Sequence, residues 1–335
     1  MLILVVGLGS MGKRRVRNLQ ALGIEQIIGF DLRQDRCDEA AKQYGITVFQ
    51  GYEEAISTKL PDAMVISTDP KHHMYYAWDA YQRGIPCFIE ASVTESEKIL
   101  QLYESCKENG PIMAPSCTMR YFPGPKKVKE LINKGVIGHP LNLNYQSGQY
   151  LPDWHPWEEI GDFYVSDRET GGCREIVPFE LTWLNDLFGH PEPLACVKSK
   201  QTDMKADIDD IYHCLLRYPD AVLANITVEV ISRPQATREL RVIGTKGEIV
   251  LSGDEQVVRY TTVDDKAWRR IDLSEGTVES GYINPEEPYI EEMKDFVAAV
   301  QYSDSNYFPN TLLDDFQVLS VLYQLEALAN GEESQ

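Results

Sequence analysis

The sequence has few basic side chains for its number of acidic ones. Its 335 residues carry 32 Lys and Arg against 52 Asp and Glu, a formal net charge of −20. Nucleic acids and anionic membrane surfaces are bound by clustered Lys and Arg, so we predict neither as a partner. Residues 1–120 hold 13 basic and 15 acidic side chains, and the remainder hold 19 and 37. The first third is therefore the part best suited to an anionic ligand.

Long apolar runs and paired cysteine motifs are also missing. No run of 18 apolar residues occurs, which predicts that no helix crosses a membrane. The apolar start, Met1–Val6, lacks the basic residues of a signal peptide and predicts a buried strand. The seven cysteines are scattered and form no Cys-x-x-Cys, which predicts reduced thiols in a cytoplasmic protein. The six histidines show no metal-ligand spacing, so we predict no metal site.

Residues 1–118 alternate short apolar runs with amphipathic stretches. Buried strands are predicted at Leu2–Val6, Gln26–Phe30, Ala63–Ser67, Cys87–Ile89 and Ile112–Ala114. Helices are predicted between them at 11–22, 34–44, 72–83 and 95–109. Fully apolar strands alternating with helices are typical of a parallel sheet covered on both faces.

The pattern changes after about residue 120. Helices are predicted at Pro125–Lys134, 175–188, 287–301 and 311–330, and strands at 140–149, 193–201, 210–218, 221–231, 237–243, 247–252 and 256–261. Consecutive strands indicate an α+β domain with a large, mostly antiparallel, open sheet. We predict an α/β Rossmann domain over residues 1–120 and a substrate and oligomerisation domain over 121–335.

A glycine loop follows the first predicted strand, in the order Gly7-Leu8-Gly9-Ser10-Met11-Gly12. Gly7 suits a tight turn, Gly9 lets the backbone approach a pyrophosphate, and Gly12 allows close packing of helix on strand. The helix that begins here offers amide groups to the phosphates. The second strand ends at Asp31, the spacing at which an acid meets the ribose hydroxyls. Together these features predict a dinucleotide site that includes Ser10 and Met11.

The choice of dinucleotide depends on charge beside the ribose. Asp31 favours NAD over NADP, because a carboxylate repels a 2′-phosphate. Arg33 could partly offset that repulsion. Lys13, Arg14 and Arg15 either add positive charge near the loop or form a solvated helix face. We predict NAD, with NADP as the alternative.

Further motifs recur in order along nearly the whole chain. They are Ile66–His73, Gly84, Cys87–Glu90, Cys117–Pro123, Gly135–Gly138, the pair Gly171 and Gly172, and Ile243–Gly247. The chain thereby resembles the glucose–fructose oxidoreductase, inositol dehydrogenase and MocA family (Gfo/Idh/MocA). The resemblance implies that Thr68, His73 and Glu90 lie along the cofactor. It also implies a sugar, cyclitol or nucleotide sugar as substrate, and a homodimer or homotetramer formed through the second domain's sheet.

Two departures from the family pattern concern proton transfer. Ala91 and Ser92 stand where the family has the Lys and Pro of E-K-P. Ile176 and Glu180 align with the Asp and His of its catalytic helix. Hydride transfer at a carbinol carbon also requires a proton to leave or reach the oxygen, so another group must carry it.

The start of that helix is the first place to look for a replacement. Glu180 occupies the position of the missing His, and Glu175 precedes that of the missing Asp. A carboxylate partly buried beside a cofactor can act as acid or base. Arg174 could bind a carboxylate or phosphate of the substrate. Alternatively, Arg174 and Glu175 form salt bridges or cap the helix start.

The second place is the aromatic segment at 149–158. Tyr150 and Trp154 offer ring faces to a sugar, and His155 could move a proton. Alternatively, this segment is a loop whose tryptophans cover the sheet or an interface. Arg120 is a further predicted substrate contact, and Tyr164 is a weaker candidate.

These observations predict an NAD(P)-dependent oxidoreductase acting on a sugar, nucleotide sugar or sugar acid. The alternative is a dinucleotide-binding protein without net redox activity, such as a sensor, or an enzyme that uses NAD only transiently.

Overall fold

The computed structural model describes residues 1–154, 159–274 and 276–331. These residues form two compact units. The first unit holds Met1–Thr118, Thr277–Glu279 and Asn284–Phe316, and the second holds the described residues of Met119–Gly276, Ser280–Ile283 and Gln317–Gln335. The chain therefore returns to the first unit late in the sequence. The predicted division into domains 1–120 and 121–335 stays a prediction.

The helices and strands of the described ranges are numbered in chain order. The α-helices are α1 Ser10–Ala21, α2 Gln34–Tyr44, α3 Tyr52–Thr58, α4 His73–Arg83, α5 Ser96–Cys106, α6 Pro123–Asn133, α7 Cys173–Phe188, α8 Glu287–Tyr302 and α9 Leu312–Ala329. The strands are β1 Leu2–Val6, β2 Gln26–Phe30, β3 Thr47–Phe49, β4 Ala63–Ile66, β5 Cys87–Ile89, β6 Met113–Pro115, β7 Pro140–Gly148, β8 Glu192–Ser199, β9 Ile211–Arg217, β10 Leu223–Glu229, β11 Thr237–Gly244, β12 Gly247–Ser252, β13 Val257–Thr262 and β14 Arg269–Asp272.

The sheet of the first unit has six strands in the order β3-β2-β1-β4-β5-β6. All its strand pairs are parallel, which confirms the predicted Rossmann architecture. The central strands β1 and β4 are buried along their whole length. Strand β3 and helix α3 were missed, because Thr47–Phe49 lies at the sheet edge and lacks a fully apolar run.

The sheet of the second unit has eight strands in the order β14-β13-β12-β11-β7-β10-β9-β8. Only β7 and β10 pair in parallel, and the other described pairs are antiparallel. This confirms the predicted, mostly antiparallel sheet. The edge strand β14 was missed because Arg269 and Arg270 are exposed charges without apolar alternation. No described helix is long and apolar enough to cross a bilayer.

Candidate functional site

The glycine loop between β1 and α1 has the backbone shape that the sequence predicts. Gly7 has φ +90°, and a Cβ there would lie 2.6 Å from the Ser67 carbonyl oxygen. A Cβ on Gly12 would lie 1.8 Å from the Gly7 oxygen. Gly9 caps α1 without any side chain. The close approaches at Gly7 and Gly12 require glycine. Because Gly9 has no side chain, the amide groups at the start of α1 stay uncovered, as binding of a pyrophosphate requires.

Asp31 lies at the end of β2 beside this loop, with 7% of its surface exposed. One carboxylate oxygen accepts a hydrogen bond from the Leu8 amide at 2.8 Å, and the other accepts one from the Arg33 amide, also at 2.8 Å. The carboxylate is therefore fixed next to the loop. This is the place at which an acid would meet a ribose.

Arg36 is a cation close to this carboxylate, and no sequence motif indicated it. Its NH1 lies 3.7 Å from Asp31 Oδ2, and a Cβ added to Gly9 would lie 3.3 Å from the same NH1. Arg33, the residue proposed for this role, instead pairs with Asp35 at 2.5 Å. That exposed pairing lowers the pKa of Asp35 to about 2, chiefly through the hydrogen bond from Arg33.

Two of the neighbouring cations are buried rather than solvated or free to bind phosphate. Arg14 is 3% exposed, and its Nε donates to Glu286 Oε1 at 2.9 Å. Arg15 is fully buried. Only Lys13 pairs at the surface, with Glu39 at 2.7 Å. Both sequence interpretations of Lys13–Arg15 are therefore corrected for the two arginines, because α1 packs this face against α8.

Arg15 holds Glu90, the residue that follows β5. Its Nε and NH2 donate to the two oxygens of Glu90 at 2.6 and 3.0 Å. NH2 also lies 3.0 Å from Glu292 of α8. Glu292 accepts further hydrogen bonds from the Cys117 amide at 2.6 Å and from Thr118 Oγ1 at 2.6 Å. The orientation of Glu90 is thus set by a buried arginine with two carboxylate partners.

His73 fixes the turn after β4. Its Nε2 lies 3.0 Å from the Thr68 carbonyl oxygen, and the side chain is buried. Burial lowers the pKa of His73, so the ring is neutral at physiological pH. A neutral ring that donates from Nε2 to Thr68 leaves Nδ1 as an acceptor, and Nδ1 has no partner among the described residues. Thr68 and His73 follow β4, and Glu90 follows the neighbouring parallel strand β5. All three residues therefore lie at the same edge of the sheet.

In the second unit, Glu180 of α7 is buried against the sheet. Four donors surround its carboxylate: Tyr145 Oη at 2.5 Å, Ser147 Oγ at 2.8 Å, Trp183 Nε1 at 2.9 Å and Arg238 NH2 at 2.8 Å. Its side chain is 1% exposed. These contacts give Glu180 the surroundings of a structural ion pair. Its predicted role as an acid or base remains a prediction.

Arg174 and Glu175, at the start of α7, have different partners. Glu175 accepts a hydrogen bond from Tyr164 Oη at 2.9 Å. Arg174 pairs with Glu326 at 2.8 Å and lies over the Tyr323 ring at 5.4 Å. These contacts correspond to the salt-bridge alternative for Arg174, whereas Glu175 is joined to a side chain that carries a transferable proton.

The remaining predicted residues have less in common. Arg120 donates to the Thr182 carbonyl oxygen at 3.0 Å. Tyr150 follows β7, with the Arg233 guanidinium 4.5 Å from its ring centre. Trp154 Nε1 is buried without a hydrogen-bond partner among the described residues. His155 lies outside the described residues. Within the described ranges, no cluster of three metal-ligating side chains occurs.

Comparison with known families agrees with this geometry. Residues 1–116 match the oxidoreductase family model with an NAD-binding Rossmann fold. Residues 126–250 match the Gfo/Idh/MocA C-terminal domain. Together the two models cover more than two thirds of the chain. The class is therefore that of Rossmann-fold, NAD-binding oxidoreductases. Within it, the chain belongs to the Gfo/Idh/MocA family.

Two curated relatives show how far the likeness extends. An uncharacterised oxidoreductase of Streptococcus pneumoniae is 30% identical over 139 residues, which are 41% of this chain and 37% of the relative. D-xylose 1-dehydrogenase (NADP(+)) of Hypocrea jecorina is 25% identical over 228 residues, 62% of this chain and 56% of the relative. The chain thus spans between about a third and just over half of the length of these relatives.

Solved structures share the fold at low identity. An oxidoreductase from Agrobacterium radiobacter, in complex with NAD+, L-tartaric acid and magnesium, has a TM-score of 0.85 at 14% identity, covering 98% of this chain and 96% of its own. Levoglucosan dehydrogenase in complex with NADH and levoglucosan has a TM-score of 0.84 at 17% identity, covering 99% and 98%. Both structures have the same fold as this chain.

Proposed function

We propose that the protein is an NAD-dependent oxidoreductase acting on a CH–OH group of a sugar or a close chemical relative. The observation that carries this proposal is the glycine loop with Asp31 fixed beside it by two backbone amides. The names of related proteins support the substrate class, since they include D-xylose 1-dehydrogenase and inositol 2-dehydrogenase.

The residues of the first unit would hold the dinucleotide. Gly7, Gly9 and Gly12 shape the loop, and the amide groups at the start of α1 would bind the pyrophosphate. Asp31 would accept hydrogen bonds from ribose hydroxyls, which favours NAD. Arg36 lies close enough to offset part of the repulsion of a 2′-phosphate, so NADP remains the second cofactor.

When bound, the nicotinamide accepts or supplies a hydride. The chain must then orient the sugar and carry the proton of the reacting hydroxyl. Tyr150 and Trp154 offer aromatic surface to a sugar ring. Glu180, His155 and Glu175 are the proposed acid or base groups, and substitutions of Glu180 and Glu175 test two of them.

A second candidate is a dinucleotide-binding protein without net redox turnover, or one that uses NAD transiently. The four donors around Glu180 favour it, because a carboxylate held in this way is a poor proton carrier. Ala91, which aligns with the family's lysine, favours it as well.

We further propose a cytoplasmic homodimer or homotetramer. The described structure forms no disulfide among the seven cysteines, which supports a reducing compartment. Val197, Leu215 and Leu223 are 66%, 48% and 48% exposed on strands β8, β9 and β10. A self-association surface on this sheet would bury them. Light scattering during size exclusion tests this, and a monomer would contradict it.

The activity is tested with D-xylose, inositol, levoglucosan and UDP-N-acetylglucosamine, each with NAD+ and NADP+, by the absorbance of the reduced cofactor. In parallel, NADH deuterated at both C4 positions is incubated with a low-molecular-weight cell extract. A protein-dependent deuterated product supports the oxidoreductase. If NADH binds in a titration and no deuterium moves, the proposal is wrong and the second candidate stands.

A further inference from the structure

We propose that Tyr164 and Glu175 form the acid–base pair of this enzyme, with Tyr164 as the catalytic residue and Glu175 as the group that takes its proton. This inference rests on the proposed function and names the part of the site that carries the hydroxyl proton. The phenol donates to the carboxylate at 2.9 Å. Both side chains are half-buried, unlike the fully enclosed Glu180.

The glycine pair before α7 builds this contact. A Cβ on Gly171 would lie 2.0 Å from the Val165 carbonyl oxygen. The turn that carries Tyr164 can therefore lie against the start of α7 only because residue 171 has no side chain. Thr170 Oγ1 donates to the Tyr164 carbonyl oxygen at 2.8 Å and holds the same turn. The phenol position is thus set by the local chain.

Glu175 and Glu180 of α7 have different neighbours because of helix geometry. Residues 175 and 180 are about 140° apart around a helix. Glu180 turns toward β7 and β11, where Tyr145 and Arg238 enclose it. Glu175 turns toward the segment that contains Tyr164. Helix α7 therefore directs Glu180 toward the sheet and Glu175 toward the segment that contains Tyr164.

The pair belongs to the sheet edge where the parallel strands β7 and β10 end. Cys173 Sγ lies 3.3 Å from the Val228 carbonyl oxygen, which fixes the start of α7 at the end of β10. Tyr150 follows β7 and bridges to Ile231, which follows β10. Tyr150 and the Tyr164–Glu175 pair are therefore brought to one edge.

The proposed proton step is balanced within these groups. During oxidation, the O–H bond of the substrate breaks and its proton moves to Tyr164 Oη. The phenol proton moves at the same time to Glu175 Oε1. The carbon–oxygen double bond forms as the hydride leaves the carbon for the cofactor. Glu175 then returns its proton to water, which its partial exposure permits.

The test compares Tyr164→Phe, Glu175→Gln and Glu175→Asp with the wild type. Activity is measured with whichever sugar or sugar nucleotide of the panel is turned over, as kcat and KM against pH. We expect Tyr164→Phe to lower kcat by about 10²-fold or more while KM changes by less than about fivefold. Glu175→Gln should lower kcat and remove the loss of rate at acid pH, and Glu175→Asp should restore part of both.

Tyr218→Phe is the matched control. It also removes a phenol hydrogen bond in the second unit, from Tyr218 Oη to Asn185 Oδ1 at 3.2 Å, and the side chain is buried. It should leave kcat unchanged. A second measurement does not depend on turnover: saturation-transfer NMR of the sugar on the NADH complex should show that Tyr164→Phe still binds the sugar, with affinity weakened by less than about fivefold, as expected for the loss of one hydrogen bond.

The outcomes separate the two proposals. If the wild type transfers hydride and Tyr164→Phe keeps kcat within about twofold, or Glu175→Gln keeps the acid limb of the pH profile, the acid–base pair is refuted and the oxidoreductase stands. If the wild type binds NADH and transfers no hydride with the panel or the extract, the proposed function fails and the pair fails with it.

Discussion

Replacing Glu180 by Gln is the sharpest way to separate a structural role from a catalytic one. The carboxylate accepts hydrogen bonds from Tyr145, Ser147, Trp183 and Arg238, all within 2.9 Å. An amide presents one NH2 group to these donors and carries no charge. At least one donor then faces another donor, and the Arg238 guanidinium loses its carboxylate.

The cost follows from the burial of this ion pair. The Glu180 side chain is 1% exposed and that of Arg238 is 21% exposed. Removing one partner of a buried pair costs about 3–5 kcal/mol, because the remaining charge stays without compensation. For a chain of this size, we expect the midpoint of thermal unfolding to fall by roughly 10 °C. Tryptophan fluorescence is a suitable monitor, since Trp183 contacts the same carboxylate.

Glu130→Gln is the control for this experiment. Glu130 of α6 pairs with Lys127 and with Lys134, which follows the helix, and is 40% exposed. Solvent screens a surface pair of this kind, so this variant should unfold close to the wild type. Glu180→Gln with wild-type unfolding and abolished turnover would refute the structural reasoning and favour Glu180 as the catalytic acid or base.

Three further predictions concern buried titratable groups and the cofactor. Burial raises the pKa of Asp315 from 3.8 to about 7. The stabilisation that its native-state proton provides is therefore complete below about pH 4 and is lost as the pH rises through 7. The free energy of unfolding of the wild type, measured relative to Asp315→Asn, should therefore fall by about 4 kcal/mol between these pH values, and a flat difference would contradict it. Arg36→Ala should weaken NADPH binding about tenfold and NADH binding less than about threefold in fluorescence titrations, whereas equal losses would exclude a role at the 2′-phosphate. Cys106 is half-buried, whereas the other described cysteines are buried, and burial still raises its pKa to about 11, so thiol reagents should label the native protein slowly and at this position first.

The fold could be predicted largely because the inner strands of its first sheet are short runs of mostly apolar residues. Leu2–Val6, Gln26–Phe30 and Cys87–Ile89 are apolar runs whose bounds agree with the structure. Strands β3 and β14 were missed because these two edge strands bury few of their side chains and contain no such run. Periodicity reports burial, and it reports little where burial is slight.

The polar partners of the site were harder to predict. The glycines and Asp31 could be predicted because the loop and the acid belong to one strand–helix–strand unit of about 25 residues. Arg15 and Glu90 are 75 residues apart, and Glu292 is farther still. A run of three cations is typical of a solvated surface, and only the packing of α8 on α1 shows that two of them are buried. No local pattern contains that information.

The late return of the chain to the first unit has a consequence for protein engineering. Glu286 and Glu292, which neutralise Arg14 and Arg15, lie in the segment Asn284–Phe316. A gene fragment ending near residue 118 would encode the complete parallel sheet together with two buried guanidinium groups deprived of these carboxylates. We expect such a fragment to aggregate. A transplantable cofactor module must therefore be spliced from two separate stretches of the gene, or circularly permuted so that α8 precedes β1.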